Sequence, residues 1–153
     1  MICTFFGHRD APTEICVLLE DVLIDLIENQ EVDMFYVGNQ GRFDSMVRRV
    51  LIKLKKRYSH IRYAVVLAYL PDERDPNLEK DVETIYPEGL ETVPRRFSIS
   101  RRNQWMVEQS QIAVTYVVVS YGGAAQFQEL ARKKGKRIIN LYQKIRELNE
   151  KKP

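Results

Sequence analysis

The chain has few of the residues that form metal or disulfide sites. It has two cysteines and two histidines among 153 residues, and their positions show no metal-ligand spacing. Cys3 falls in an expected first strand and Cys16 on the apolar side of the helix expected after it. Buried free thiols are typical of such positions, more than a disulfide or a nucleophile. The sequence therefore predicts free thiols, no metal and no cofactor.

Long apolar runs and a strong net charge are also missing. No stretch of about 18 apolar residues occurs, and no basic region precedes the short apolar stretch at the start, which predicts a cytoplasmic protein without a membrane segment. The 24 basic and 21 acidic residues are mixed along the chain and leave a formal charge of only +3. Charge of this kind does not indicate nucleic acid. With seven glycines and six prolines, the composition is that of an ordinary globular domain.

What the chain does have is a regular alternation of two patterns. Short apolar runs predict strands, and the segments between them carry apolar residues at helical spacing. The expected strands cover residues 2–6, 34–38, 63–69, 112–119 and 137–142. Strands that are apolar throughout, separated by amphipathic helices, favour an α/β fold with a parallel sheet covered on both faces. We therefore expect one Rossmann-like three-layer sandwich with about five mainly parallel strands over residues 1–146, and a polar tail over residues 147–153.

One segment, residues 70–97, breaks the alternation. It carries four of the six prolines and eight acidic residues. Connections of this length without regular structure are uncommon in compact domains and often form lids or binding loops. A lid or a dimer contact and a plain surface excursion are both compatible with this pattern.

Three loops follow strand ends at the edge where open α/β sheets bind ligands. Glycine lets the backbone approach a ligand closely, and a helix start offers free N–H groups that favour anions. Three such loops together indicate a phosphate-bearing ligand, although turn glycines and turn-forming polar residues give the same pattern. The candidate binding residues in these loops are Gly7, His8, Arg9, Gly38, Asn39, Gln40, Gly41, Arg42, Gly122, Gly123 and Ala124.

A further group of candidates begins the helix expected before the fourth strand. Arg101, Arg102 and Asn103 fall in its first turn, where arginine is unfavourable beside the positive end of the helix dipole. A bound anion or the acidic segment 70–97 would compensate for these charges. Glu129 stands four residues before Lys133 on the next helix, and this spacing favours a surface ion pair over a catalytic role.

Several long motifs resemble a known superfamily. The stretches CTFFGHRD, YVGNQGRFDSMV, YPEGLE and RFSISRRNQWMVEQSQIAVTYV with the later GGA are similar to the small bacterial YspA-like branch of the SLOG superfamily. That superfamily includes DprA-type recombination mediators, LOG-type phosphoribohydrolases and sensors of signals derived from ADP-ribose. The likeness covers nearly the whole chain and implies a nucleotide-binding fold and a homodimer.

The LOG-type motifs can be carried over to individual positions. The resemblance implies that Arg102 is the functional arginine, that Gly122 and Gly123 are the glycine pair, and that Glu129 is the catalytic glutamate if the protein is an enzyme. The chain departs from the motif at five positions: Arg101 replaces an acid, Asn103 a lysine, Tyr121 a proline, Ala125 a glycine and Gln126 a threonine. The glycine pair, Arg102 and Glu129 of the nucleotide-binding motif are kept. The five departures leave open whether the bound ligand is hydrolysed.

Three functions follow from these observations. The first is binding of a nucleotide-type small molecule, a nucleoside phosphate or an ADP-ribose-like ligand, as in a sensor. The alternative is a nucleoside-5′-monophosphate phosphoribohydrolase that uses Glu129 and Arg102. The second alternative is a DNA-binding protein of the recombination-mediator type. Both basic clusters, residues 53–57 and 133–137, lie at expected helix ends, where basic side chains favour the dipole. This position disfavours nucleic acid as a partner.

Overall fold

The computed structural model describes residues 1–70, residue 78 and residues 81–151. The strands are β1 (Ile2–Gly7), β2 (Met34–Val37), β3 (Arg62–Val66), β4 (Glu83–Ile85), β5 (Ile112–Tyr116) and β6 (Arg137–Asn140). The helices are α1 (Cys16–Asn29), α2 (Gly41–Arg57), α3 (Ser98–Gln109), α4 (Gly123–Lys133) and α5 (Leu141–Glu150). Single turns of 3-10 helix lie at Thr13–Ile15, Leu90–Thr92 and Arg95–Phe97.

The described strands form one sheet in the order β4, β3, β2, β1, β5, β6, and every neighbouring pair is parallel. The chain winds from β1 outward to β4 and then crosses to the other side of β1, where β5 and β6 follow. The winding direction therefore reverses between β1 and β5. The predicted Rossmann-like α/β sandwich is confirmed, with one strand more than the five expected.

The additional strand is β4, a three-residue edge strand paired with β3. Glu83 and Thr84 are exposed, so the strand has no apolar run that a sequence pattern could detect. The expected strands 63–69 and 112–119 in turn end early, at Val66 and Tyr116. Leu67, next in the chain, stays buried and donates its N–H to the Ile85 carbonyl at 2.8 Å. The apolar run therefore continues beyond β3 because Leu67 is buried there, whereas Val118 and Val119 beyond β5 are exposed.

Helices α1 to α4 lie where the apolar spacing predicts them, whereas α5 was not predicted, and the expected strand 137–142 ends at Asn140. Leu19, Leu23 and Leu26 of α1 are fully buried on one side of the helix, as a period near 3.6 residues requires. Helix α5 continues to residue 150 and so includes residues 147–150 of the segment expected as a tail. The Asn140 side chain caps α5 by accepting a hydrogen bond from the Tyr142 N–H at 3.1 Å.

The helices cover the two faces of the sheet unequally. The larger apolar core packs α1, α2 and the start of α5 against one face, with Phe5, Phe35 and Val114 from the strands. A smaller cluster packs α3 and α4 against the other face. Alternate strand residues supply the two clusters, because successive side chains point to opposite faces; Phe5 belongs to the first and Phe6 to the second.

The proline-rich segment 70–97 falls partly outside the described residues, at 71–77 and 79–80. Its described part contains β4 and two turns of 3-10 helix. Leu90 is buried and Gly89 adopts a φ of +85° before it, which a glycine accommodates without strain. A lid or dimer-contact role for this segment stays a prediction.

Candidate functional site

A cavity of about 440 Å³ opens at the carboxyl ends of the strands, beside the point where the winding reverses. This is the position at which open α/β sheets bind ligands. Its size falls in the range of small-molecule sites. It is lined by Phe5, Phe6, Gly7, His8, Arg9, Asp10, Gly38, Gln40, Asp44, Ile99, Arg102, Asn103, Met106, Gly123 and Ala124.

Hydrogen bonds from His8 fix the loop after β1 to the loop after β5. The His8 N–H donates to the Tyr116 carbonyl at 3.2 Å, and the His8 Nε2 accepts from the Val118 N–H at 2.9 Å. The imidazole ring also lies edge-on to the Tyr116 ring, with centroids 6.1 Å apart. These contacts join the carboxyl ends of β1 and β5 at the cavity.

The loop after β2 is fixed to the loop after β1 in a similar way. The Arg42 N–H donates to the Arg9 carbonyl at 2.9 Å. Gly41 has a φ of +89°, and a Cβ there would lie 2.9–3.1 Å from atoms of Arg9. The close approach of these two loops therefore requires glycine at position 41.

Arg102 is the buried cation of the cavity. It lies on α3 and is only 2% exposed. Its Nη1 donates to the Val66 carbonyl at the end of β3, at 3.0 Å, and its Nε donates to Asn103 Oδ1 at 2.9 Å. Burial lowers the pKa of Arg102, and the charge of Asp44 acts in the opposite direction. The Arg102 guanidinium thus donates to the Val66 carbonyl and interacts with the charge of Asp44. It can also bind an anion in the cavity.

Asp44, in the first turn of α2, is the buried carboxyl group of the cavity. Its Oδ2 accepts a hydrogen bond from the Gln40 N–H at 2.9 Å. Burial raises the pKa of Asp44 to about 6, although the Gln40 hydrogen bond and the charges of Arg102, Arg48 and Arg9 lower it. Asp44 therefore changes its charge close to neutral pH, next to the buried arginine.

Two amides at the start of α2 already have partners within the protein. The Gln40 N–H is bound by Asp44 and the Arg42 N–H by the Arg9 carbonyl. At the start of α4 the first amide with a carbonyl partner in the same segment is Gln126, which donates to Gly122 at 3.0 Å. The amides of residues 123–125 precede it and begin the helix, where anions bind. The start of α4 can therefore contribute amides to an anion in the cavity.

The structure brings together nine of the predicted site residues and separates six. Those that line the cavity are Gly7, His8, Arg9, Gly38, Gln40, Arg102, Asn103, Gly123 and Ala124. Those that do not are Asn39, Gly41, Arg42, Arg101, Gly122 and Glu129. Gly41 and Arg42 shape the cavity indirectly through Arg9. Arg101 lies on the far side of α3, in a groove with Phe97 and Trp105.

Glu129 lies apart from the cavity. It is exposed on α4 and forms an ion pair with Arg132, one turn further along the helix. The hydrogen bond from Arg132 lowers the pKa of Glu129. The expected surface pairing of this carboxylate is present, but with Arg132 and not with Lys133. Glu129 does not line the cavity that contains Arg102. The phosphoribohydrolase alternative stays a prediction.

Sequence reasoning missed the acidic and apolar members of the site. Asp10 and Asp44 line the cavity together with Phe5, Phe6, Ile99 and Met106. An acid at the start of a helix, as Asp44 is, looks like an ordinary cap. The nearby arginine that gives Asp44 its second role lies 58 positions later in the chain, and only the fold brings the two together.

The described residues contain no group of three metal-ligating side chains. Cys3 is a buried free thiol and Cys16 a half-buried one. In the same described part of the chain, no helix is both long and apolar enough to span a membrane.

The chain shares its fold with a solved structure but matches no family model and no curated protein. Its fold is similar to that of DNA processing protein A from Helicobacter pylori, from a structure concerned with the single-stranded DNA binding mode of that protein. The TM-score is 0.60 at 12% identity, over 99% of this chain and 74% of that chain. The likeness shows that the two chains share a Rossmann-like fold. The SLOG superfamily and its YspA-like branch stay predictions.

The prediction that disfavoured nucleic acid as a partner is wrong for this fold. The similar chain is a single-stranded DNA-binding protein. The small net charge on which the prediction depended is an average over the whole surface, and it does not exclude a local basic surface.

Proposed function

We propose that the cavity binds a nucleotide through its phosphate. The observation that carries this proposal is the convergence of Arg9, the buried Arg102 and the start of α4 on one cavity. Arginine binds phosphate in a bidentate way, and a helix start adds N–H groups and a favourable dipole. Ile99 and Met106 supply apolar wall beside these polar groups, which is the composition typical of small-molecule sites.

Thermal unfolding with added ligand tests this proposal. A ligand that binds only the folded protein adds about 2.7 kcal/mol at 100 times its dissociation constant, which corresponds to a rise in Tm of about 5–10 °C for a domain of this size. We expect this rise with at least one nucleoside monophosphate, nucleoside diphosphate or ADP-ribose. No rise with any of them at millimolar concentration would refute the proposal.

Two arginine variants locate the phosphate. Arg9 is exposed, so Arg9→Met should fold normally and weaken nucleotide binding about 10-fold or more, the value of one charged hydrogen bond. Arg57→Met is the matched control, because this exposed arginine ends α2 at the opposite edge of the sheet. Equal affinities of the two variants would place the phosphate outside the cavity.

A second candidate function is binding of single-stranded DNA. It is favoured by the fold similarity to a protein that binds single-stranded DNA and by an arginine–aromatic surface, which we define as Tyr69, Arg95, Arg96, Phe97 and Arg101. In it, the Arg95 guanidinium lies 4.3 Å from the Tyr69 ring centroid and that of Arg96 lies 4.7 Å from the Phe97 centroid. Basic and aromatic side chains side by side are typical of surfaces that bind single strands.

Fluorescence anisotropy with a labelled oligothymidylate separates the two candidates. Binding of the strand should weaken steeply between 50 and 200 mM salt, because phosphate contacts release counterions. Arg96→Gln should weaken binding of the strand and leave mononucleotide binding unchanged, whereas Arg9→Met should weaken mononucleotide binding. No binding of the oligonucleotide at 50 mM salt would remove this candidate and leave the first intact.

A further inference from the structure

A second hollow adjoins the cavity on the side of α3 and α4. Its volume is about 640 Å³, again in the range of ligand sites. The lining residues that matter here are Gln104, Tyr121, Gly123, Gln126, Glu129 and Lys133. Gly123 also lines the cavity, so the two spaces meet at this residue.

Gly123 borders both spaces and has no side chain. A Cβ added at Gly123 or at Gly122 would meet no atom within 4 Å. The space beside these two glycines is therefore open. A ligand with one end in the cavity can extend past Gly123 into the hollow.

The side chains of the hollow differ in chemistry from those of the cavity. Tyr121 is 74% exposed, the most exposed of the large apolar side chains in the described part of the chain. The amides of Gln104 and Gln126 make no side-chain hydrogen bond to another described residue. Of the two charged groups, Glu129 is already paired with Arg132. The hollow thus offers an aromatic face and free amides, each with both a donor and an acceptor.

We infer that this hollow binds the base of the nucleotide, with Tyr121 stacked against the base. The inference rests on the proposed function, because it assumes that the phosphate lies in the cavity. A base is a flat and uncharged group whose face stacks on aromatic rings. Its edge carries donors and acceptors that the Gln104 and Gln126 amides complement. Tyr121 then contributes affinity for the base, and the cavity contributes affinity for the phosphate.

The test compares ligands with and without a base. Equilibrium titrations measure binding of AMP, GMP, CMP, UMP and ribose 5-phosphate to the wild type, Tyr121→Ala and Tyr121→Phe. We expect at least one nucleotide to bind 10-fold or more tighter than ribose 5-phosphate. Tyr121→Ala should remove most of this difference, since base stacking on an aromatic side chain contributes about 5-fold to 150-fold. Tyr121→Phe keeps the ring and should keep the difference.

Ribose 5-phosphate is the internal control, and its affinity should be the same in all three proteins. Gly123→Val should weaken nucleotide binding more than ribose 5-phosphate binding, because it places a side chain where the two spaces meet. If nucleotides and ribose 5-phosphate bind equally well and Tyr121→Ala changes neither, the base site is refuted while the phosphate site stands. If no ligand binds the wild type, the proposed function fails and this inference with it.

Discussion

The two faces of the sheet bury apolar clusters of different size. On the face covered by α1, α2 and α5 the cluster is large, and on the face covered by α3 and α4 it is small. Buried charge is present on both sides, as Asp44 and Arg48 on α2 and as Arg102 on α3. The large cluster holds the strands in place, whereas Asp44 and Arg102 line the cavity at the carboxyl ends of the strands. Stability and binding are thus divided between the large cluster and the cavity.

The largest effect expected from this division is a difference between two core truncations. Leu51 on α2 is fully buried in the large core, so Leu51→Ala should cost about 3–4 kcal/mol. Met106 on α3 lines the cavity, and water can enter the space that Met106→Ala leaves, so we expect about 2 kcal/mol. Urea unfolding measures both values.

Ligand affinity should reverse the order of these two variants. Met106→Ala should weaken nucleotide binding, and Leu51→Ala should leave the affinity of the folded protein unchanged. Met106→Leu conserves volume and serves as the control. If Leu51→Ala and Met106→Ala lose the same stability and have the same affinity for the nucleotide, stability and binding are not divided in this way.

A smaller effect concerns the pH dependence of stability. The folded protein raises the pKa of Asp44 from 3.8 to about 6, so the folded state holds this proton more tightly than the unfolded state does. The stabilising contribution of Asp44 is therefore complete below about pH 3.8 and is lost as the pH rises through about 6. The loss amounts to at most about 3 kcal/mol at pH 7.

Asp44→Asn removes this titration and keeps an oxygen that can accept from the Gln40 N–H. Urea unfolding at several pH values should show that the wild type loses stability relative to Asp44→Asn between pH 4 and 7. A stability difference that stays constant across this range would contradict the raised pKa. Glu108→Gln, at an exposed position on α3, is the matched control.

The smallest effects come from two glycines of the same cavity. A Cβ at Gly7 would clash with the ring of Phe43, which is fully buried in the large core, so Gly7→Ala should cost about 1–3 kcal/mol. A Cβ at Gly123 would meet nothing within 4 Å, and Gly123→Ala should stabilise by about 0.5 kcal/mol through the unfolded state. Phe43→Leu combined with Gly7→Ala should recover part of the loss. A Gly7→Ala protein as stable as the wild type would mean that the large core is not tightly packed there.

Local patterns predicted most of the fold. The spacing of Leu19, Leu23 and Leu26 predicts α1, and the apolar run of β1 that ends at Gly7 predicts a strand followed by a turn. These signals are readable because each depends on residues within a few positions of one another. The edge strand β4 was missed, since its exposed residues lack such a pattern.

The candidate site was predicted only in part. Gly7, Arg9 and Gly123 were identified because glycines and basic residues after strands are a local signal. Asp44 was not, because its role depends on contacts with residues far away in the chain. Glu129 was identified through a motif, yet it faces Arg132 outside the cavity.

The sequence alone determined the fold class, the order of most of the elements and the edge of the sheet at which the loops converge, because strand and helix periodicities and turn residues act over short distances. Only the tertiary structure decided that Arg102 is buried beside Asp44, that Glu129 lies apart from both, and that two spaces meet at Gly123. The physical reason is that burial and charge pairing arise between elements, and the packing of α3 and α4 on the sheet sets their geometry.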